Sequence, residues 1–139
     1  MTRSEIQKIM DKVSGLNDFG IGTFNPGKRT SEEREKDFAE GKDKLLESVD
    51  ACTKCCEWLD KLEKVNAINS RQNSYGLKHV AEVDIGYLTN GVFITAAIHC
   101  GFKYRVIPGS PNVEFNVSEK SIKAVKRRQN NEGKGNWAV

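Results

Sequence analysis

Residues 92–98 place Val92, Phe93, Ile94, Ala96, Ala97 and Ile98 on almost every side of a helix that runs on to Cys100 and ends at Gly101. A short helix that is apolar all round is stable only at the centre of a fold, with the rest of the chain wrapped around it. After Gly101 the apolar period changes from 3.6 to 2. Phe102, Tyr104 and Val106 alternate with Lys103 and Arg105, and a Pro108-Gly109-Ser110-Pro111 turn follows. Val113, Phe115 and Val117 then alternate with Asn112, Glu114 and Asn116. Two alternating runs about a Pro/Gly turn predict a β-hairpin with one packed and one wet face. A central helix and a hairpin within 139 residues predict one α+β domain spanning 1–139.

The remaining patterns are helical, so the fold is expected to be mainly helical. Ile6, Ile9, Met10, Val13 and Leu16 fall on one stripe, and Thr2 with Glu5 reads as a capping box. Residues 17–30 read as a loop, marked by Gly20, Gly22 and Asn25-Pro26-Gly27. Thr30 and Ser31, followed by Glu32, Glu33 and Glu35, then start a helix expected to reach Val65. Phe38, Leu45, Val49, Cys52, Cys56, Leu59 and Leu62 form its narrow seam, and Gly41 is the candidate break. A narrow seam between charged faces suits a helical hairpin, or self-association with the same helix of a second chain. Residues 66–73 are polar and read as a loop. Ser74 caps a short helix carrying Tyr75, Leu77, Val80 and Ala81; Ser118 caps a last one, Glu119 to about Gln129, with Ile122 and Val125 inward. Residues 130–139 read as a flexible tail with one aromatic anchor, Trp137.

The charge is unevenly spread. Residues 1–100 carry 14 Lys and Arg against 16 Asp and Glu, whereas residues 101–139 carry 8 against 3. Lys120, Lys123, Lys126, Arg127, Arg128 and Lys134, with Lys103 and Arg105 on the hairpin, make a candidate basic face. Such a face binds phosphate without reading sequence, and cations also favour a helix C-terminus with no ligand at all. No apolar run is long enough for a membrane span, and the first residues enter an amphipathic pattern without a leader. The chain is therefore expected in the cytoplasm, with its four cysteines as thiols.

The chemical motifs weaken on inspection. Gly22 to Thr30 resembles a phosphate-binding loop, but Arg29 stands where Ser or Thr must follow Lys28, and no strand precedes it. What remains is a turn and a capped helix, with Lys28 and Arg29 able to attract an anion. Cys52, Cys55 and Cys56 include a Cys-x2-Cys pair, for which His79, His99 or Cys100 would have to complete a zinc site. The seam accounts for Cys52 and Cys56 as buried thiols, so no metal and no cofactor is predicted. Lys78, His79 and Glu82, one helical turn apart, carry the groups of acid–base chemistry but read as a solvated face with an ion pair. No nucleophile stands beside them, so an enzyme is not predicted. The order helix–helix–hairpin over 74–117 suggests a DNA-reading wing, yet the second helix offers only Asn90, Thr95 and His99 to base edges.

Four segments, Ser74-Tyr-Gly-Leu-Lys-His79, Tyr87-Leu-Thr-Asn-Gly91-Val-Phe-Ile-Thr-Ala-Ala97, Gly101-Phe102 and Pro111-Asn112, together resemble a pattern in small uncharacterised proteins of phages and other mobile elements. The resemblance implies a protein that acts by binding something in a bacterial host, and carries no activity or site residues. The expectation is a non-enzymatic interaction protein whose charged helix meets a protein partner. The alternative is a nucleic-acid binder using the basic C-terminal face.

Overall fold

The computed structural model describes residues 1–23 and 30–133. The Asn25-Pro26-Gly27 turn, Lys28, Arg29, Lys134 and Trp137 lie outside the described residues. The elements run α1 (Arg3–Lys12), β1 (Leu16–Asn17), β2 (Gly20–Ile21), α2 (Ser31–Glu47), α3 (Val49–Leu59) and β3 (Lys64–Asn69). They continue with α4 (Ser74–Ile85), α5 (Asn90–His99), β4 (Tyr104–Val106), β5 (Val113–Val117) and α6 (Glu119–Asn131). The fold is α+β and mainly helical. No helix among the described residues is long and apolar enough to cross a membrane.

Helix α5 is the centre of the fold. Every residue from Asn90 to Ile98 is buried, beneath α1, α3, α4 and β2. Trp58, Phe93, Phe115 and Phe102 form a chain of edge-to-face rings with centroids 6.4, 6.1 and 6.4 Å apart, which joins α3 to the sheet through α5. The capping boxes at Thr2–Glu5 and Thr30–Glu33 fix the starts of α1 and α2.

Four expectations need correcting. The helix predicted for 31–65 is two helices, and the break is at Ser48, not at Gly41. Ser48 Oγ donates 2.8 Å to the Lys44 carbonyl, and its ψ of 36° turns the chain into α3. Gly41 stays helical and buried because a Cβ there would lie 2.5 Å from Asn17 Oδ1; its glycine is a contact, not a hinge. The seam closes within the chain, since Cys52, Cys55, Trp58 and Leu59 face α5 and α4.

Secondly, residues 64–69, expected as the end of that helix and the start of a loop, form an edge strand, which makes a three-stranded antiparallel sheet in the order β3-β5-β4. Asn116, expected on the wet face, is 3% exposed and ties the strands together. Its Nδ2 donates 2.7 Å to the Val65 carbonyl, and its Oδ1 accepts from the Lys103 amide at 2.7 Å. Thirdly, Tyr104 is half-buried and Val106 is 38% exposed, because β4 is the outer strand of the sheet. Fourthly, Asn73 rather than Ser74 caps α4, and the buried Ser74 hydroxyl accepts from the Val113 amide instead. At the other end α6 continues to Asn131, two residues past Gln129.

Candidate binding cleft

Helix α4 carries Tyr75, Lys78, His79 and Glu82 at i, i+3, i+4 and i+7, a spacing that lines them along one face. That face forms one wall of a cleft of about 930 Å³. Asp37, Glu40, Gly41 and Lys44 of α2, again at i, i+3, i+4 and i+7, form the opposite wall. Residues 17–19, between β1 and β2, lie across it together with Thr89, Asn90, Pro111 and Asn112, and Tyr87 stands at the edge.

Close packing holds the 17–19 turn in place. Asn17 Nδ2 donates to the carbonyls of Gly15, Gly20 and Gly22, and its Oδ1 accepts from the Phe19 amide. The Asp18 amide donates 3.0 Å to the Gly41 carbonyl on one side; on the other, the Gly91 amide donates 3.1 Å to the Asp18 carbonyl. A side chain at Gly91 would overlap the Asn17 carbonyl oxygen, so α5 approaches this backbone more closely than any larger residue permits. Thr89 Oγ1 donates to Asp18 Oδ1 at 2.8 Å. Asn90 Nδ2 points at three acceptors, the carbonyls of Phe19 and Pro111 and Asn112 Oδ1. Its Oδ1 is buried and accepts no hydrogen bond from the described residues.

Glu82 is the electrostatic centre of the α4 wall. Lys78 Nζ lies 3.2 Å from Oε2, His79 Nδ1 lies 2.7 Å from Oε1, and the Leu88 amide donates 2.9 Å to Oε2. Burial pushes the Glu82 carboxyl up, but these partners outweigh it and hold the group below its ordinary range. Lys78 is only 7% exposed; its ammonium also lies 5.1 Å from the Tyr75 ring centre and 5.5 Å from that of Tyr87. The expected ion pair on α4 therefore exists; Lys78 is packed into the wall, whereas His79 and Tyr75 are exposed. Its acid, base and cation are engaged with one another, and the Thr89 hydroxyl is spent on Asp18.

The metal candidates do not converge. Cys52 and Cys55 are fully buried, and burial pushes the Cys52 thiol up to about 12 and raises that of Cys55 as well. Cys56 shares a thiol hydrogen bond with Cys100, which raises the one and lowers the other. His79 lines the cleft instead. No group of three or more His, Cys, Asp or Glu among the described residues is placed to hold a metal ion.

The seven described cations of the candidate basic face are in mixed states. Lys103, Lys120, Lys123 and Arg127 are exposed, and Lys126 is half-buried. Arg105 is bound to Glu114 at 2.6 Å, whereas Arg128 is held between Asp84 and Glu132. Both arginines therefore already serve carboxylates of this chain.

Sequence reasoning found Lys78, His79 and Glu82 but missed Asp18, Phe19, Asp37, Glu40, Tyr87 and Asn90 as parts of the same place. One signal was present: the heptad stripe from Tyr75 to Glu82 holds a cation, an anion and an aromatic ring where a core helix would be apolar. The segments 74–79, 87–97 and 111–112, apart in sequence, all reach this cleft. Comparisons with protein-family models, curated proteins and solved structures give no match to this chain.

Proposed function

We propose that the protein is a non-enzymatic interaction protein that receives part of a protein partner in the cleft between α2 and α4. One observation carries the reading. Of the five large hydrophobic side chains exposed among the described residues, three, Phe19, Tyr75 and Tyr87, border this one cleft, and Tyr87 is 81% exposed. Exposed tyrosines around a preorganised polar floor are what protein recognition uses, because an aromatic ring buries much area at little cost in side-chain entropy. The charged outer helix α2 supplies the second wall. The likeness of residues 74–112 to small mobile-element proteins would make the partner a complex of a bacterial host.

Affinity capture from a bacterial lysate tests this, comparing the native chain with the Tyr75→Ala/Tyr87→Ala variant. The expected result is a stoichiometric protein partner held by the native chain and lost from a variant whose circular dichroism is unchanged. Equal capture by both chains, or no partner at all, would count against the cleft. Retention of nucleic acid at low salt, lost on changing Lys120 and Lys123 to Glu, would favour the basic-face alternative.

A further inference from the structure

We infer that Cys56 and Cys100 form a two-cysteine redox site, in which Cys100 meets a hydroperoxide and Cys56 resolves the product to a disulfide. The site stands apart from the cleft and does not depend on it. Packing of α3 on α5 brings the two residues together. Cys56 Sγ lies 3.9 Å from the Ala96 carbonyl oxygen, and the Cys100 amide donates 2.9 Å to that same oxygen. Both cysteines therefore meet at the last turn of α5, where their thiols share a hydrogen bond. Two sulfurs in hydrogen-bond contact need only a short further approach to reach the disulfide bond length of about 2.05 Å. Cys100 caps α5 and is followed by Gly101 at φ 90°, so that approach falls on a turn and not on the body of a helix.

The surroundings divide the roles. Cys52 and Cys55 are sealed in the core, whereas Cys56 and Cys100 are half-buried, which admits a small oxidant. The hydrogen bond from the Cys56 thiol lowers the Cys100 thiol, while burial and Asp60 push it up. Lys64, whose Cε would lie 3.6 Å from a Cβ on Gly101, adds a positive charge, and the net direction is downward. The thiolate is the form that attacks peroxide, so Cys100 reacts first. The same hydrogen bond raises Cys56, which stays a thiol until Cys100 has reacted.

Hydrogen peroxide balances the step. The Cys100 thiolate attacks one peroxide oxygen, the O–O bond breaks, and the leaving hydroxide takes up a proton as water while Cys100 becomes a sulfenic acid. Cys56 then attacks the Cys100 sulfur. The S–S bond forms, the S–O bond breaks, and hydroxide leaves with the Cys56 proton as a second water. Two electrons pass from the two thiols to one peroxide.

The test treats the full, reduced chain with a small excess of hydrogen peroxide and maps the product by tandem mass spectrometry after trypsin. The expected product is one intramolecular disulfide joining residues 55–61 to residues 79–103, with fragment ions placing it on Cys56 and Cys100, and dithiothreitol reverses it. Cys55→Ser should keep the bond. Cys56→Ser should lose it and leave a Cys100 sulfenic acid that dimedone traps. Cys100→Ser, with unchanged circular dichroism, should consume peroxide at least about tenfold more slowly than the native chain. Unchanged thiol content in the native chain, fragment ions that place the bond on Cys55, or peroxide consumption indifferent to Cys100→Ser overturns the inference.

Discussion

Helix α4 presents two carboxylates two residues apart, Glu82 and Asp84, and the same chemistry has two different outcomes around them. Asp84 is the centre of a closed knot. Its Oδ2 accepts from Trp58 Nε1 at 2.8 Å, from Gln129 Nε2 at 3.1 Å and from the Arg128 guanidinium, with Lys61 Nζ at 3.8 Å. These donors come from α3, α6 and the segment between α3 and β3. The ring beside Asp84, Trp58, is 2% exposed. Glu82 also gathers a lysine, a further donor and aromatic rings. Its donors, however, are residues 78, 79 and 88, close in the chain, and its rings face outward into a cleft. A carboxylate bonded from distant elements locks a fold, here through Oδ2 alone, since Oδ1 is buried and accepts no hydrogen bond from the described residues. One satisfied from its own neighbourhood braces a wall and leaves the space in front of it for something else.

The largest effect should come from breaking the closed knot. Asp84→Ala leaves a half-buried guanidinium, an indole N–H and a carboxamide without their common acceptor, and should cost about 3 kcal/mol in denaturant unfolding. A loss below about 1 kcal/mol would mean that water replaces the carboxylate and that the knot is not closed.

Acid should separate the two regions next. Burial raises the Asp84 carboxyl, but the hydrogen bonds from Arg128, Trp58 and Gln129 bring it down to about 2 from 3.8. The folded state thus favours the anion. The stability this gives is complete above 3.8 and is lost as pH falls through about 2; it amounts to about 2 kcal/mol. Stability profiles of the native chain and Asp84→Asn should therefore converge in that interval, and parallel profiles down to pH 2 would refute the assignment.

The smallest effect on stability should come from the open region. Tyr87→Ala removes a ring that is 81% exposed and should change unfolding free energy by less than about 0.5 kcal/mol. A larger loss would show that the ring supports the fold through Lys78, and would make the cleft a second structural knot.

Local patterns made the helix starts readable: Thr2 with Glu5 and Thr30 with Glu33 satisfy their own orphan amides within four residues. The hairpin was readable for the same reason, because its alternation and its turn are neighbours in the chain. Strand β3 was not. Residues 64–67 are exposed, so no alternation marks it, and it exists because β5 pairs with its backbone and the Asn116 side chain donates to its Val65 carbonyl. The break at Ser48 was hidden by a seam that continues in register through it, and Gly41 misled because a glycine in a helix signals either a hinge or a close contact.

The sequence alone determined a buried apolar helix at 92–98, an antiparallel hairpin after it, and charged helices around them. Periodicity is set by which residues cannot face water, and that is a local property. The tertiary structure alone decided that Asp18, Glu40, Tyr75, Lys78, Tyr87 and Asn90 belong to one cleft, and that Arg128 is part of the knot and not of an open basic face. Those placements depend on how closely α2 and α5 approach the 17–19 turn and on which carboxylate reaches a cation first. Distances across the fold are fixed by packing, and no spacing along the chain records them.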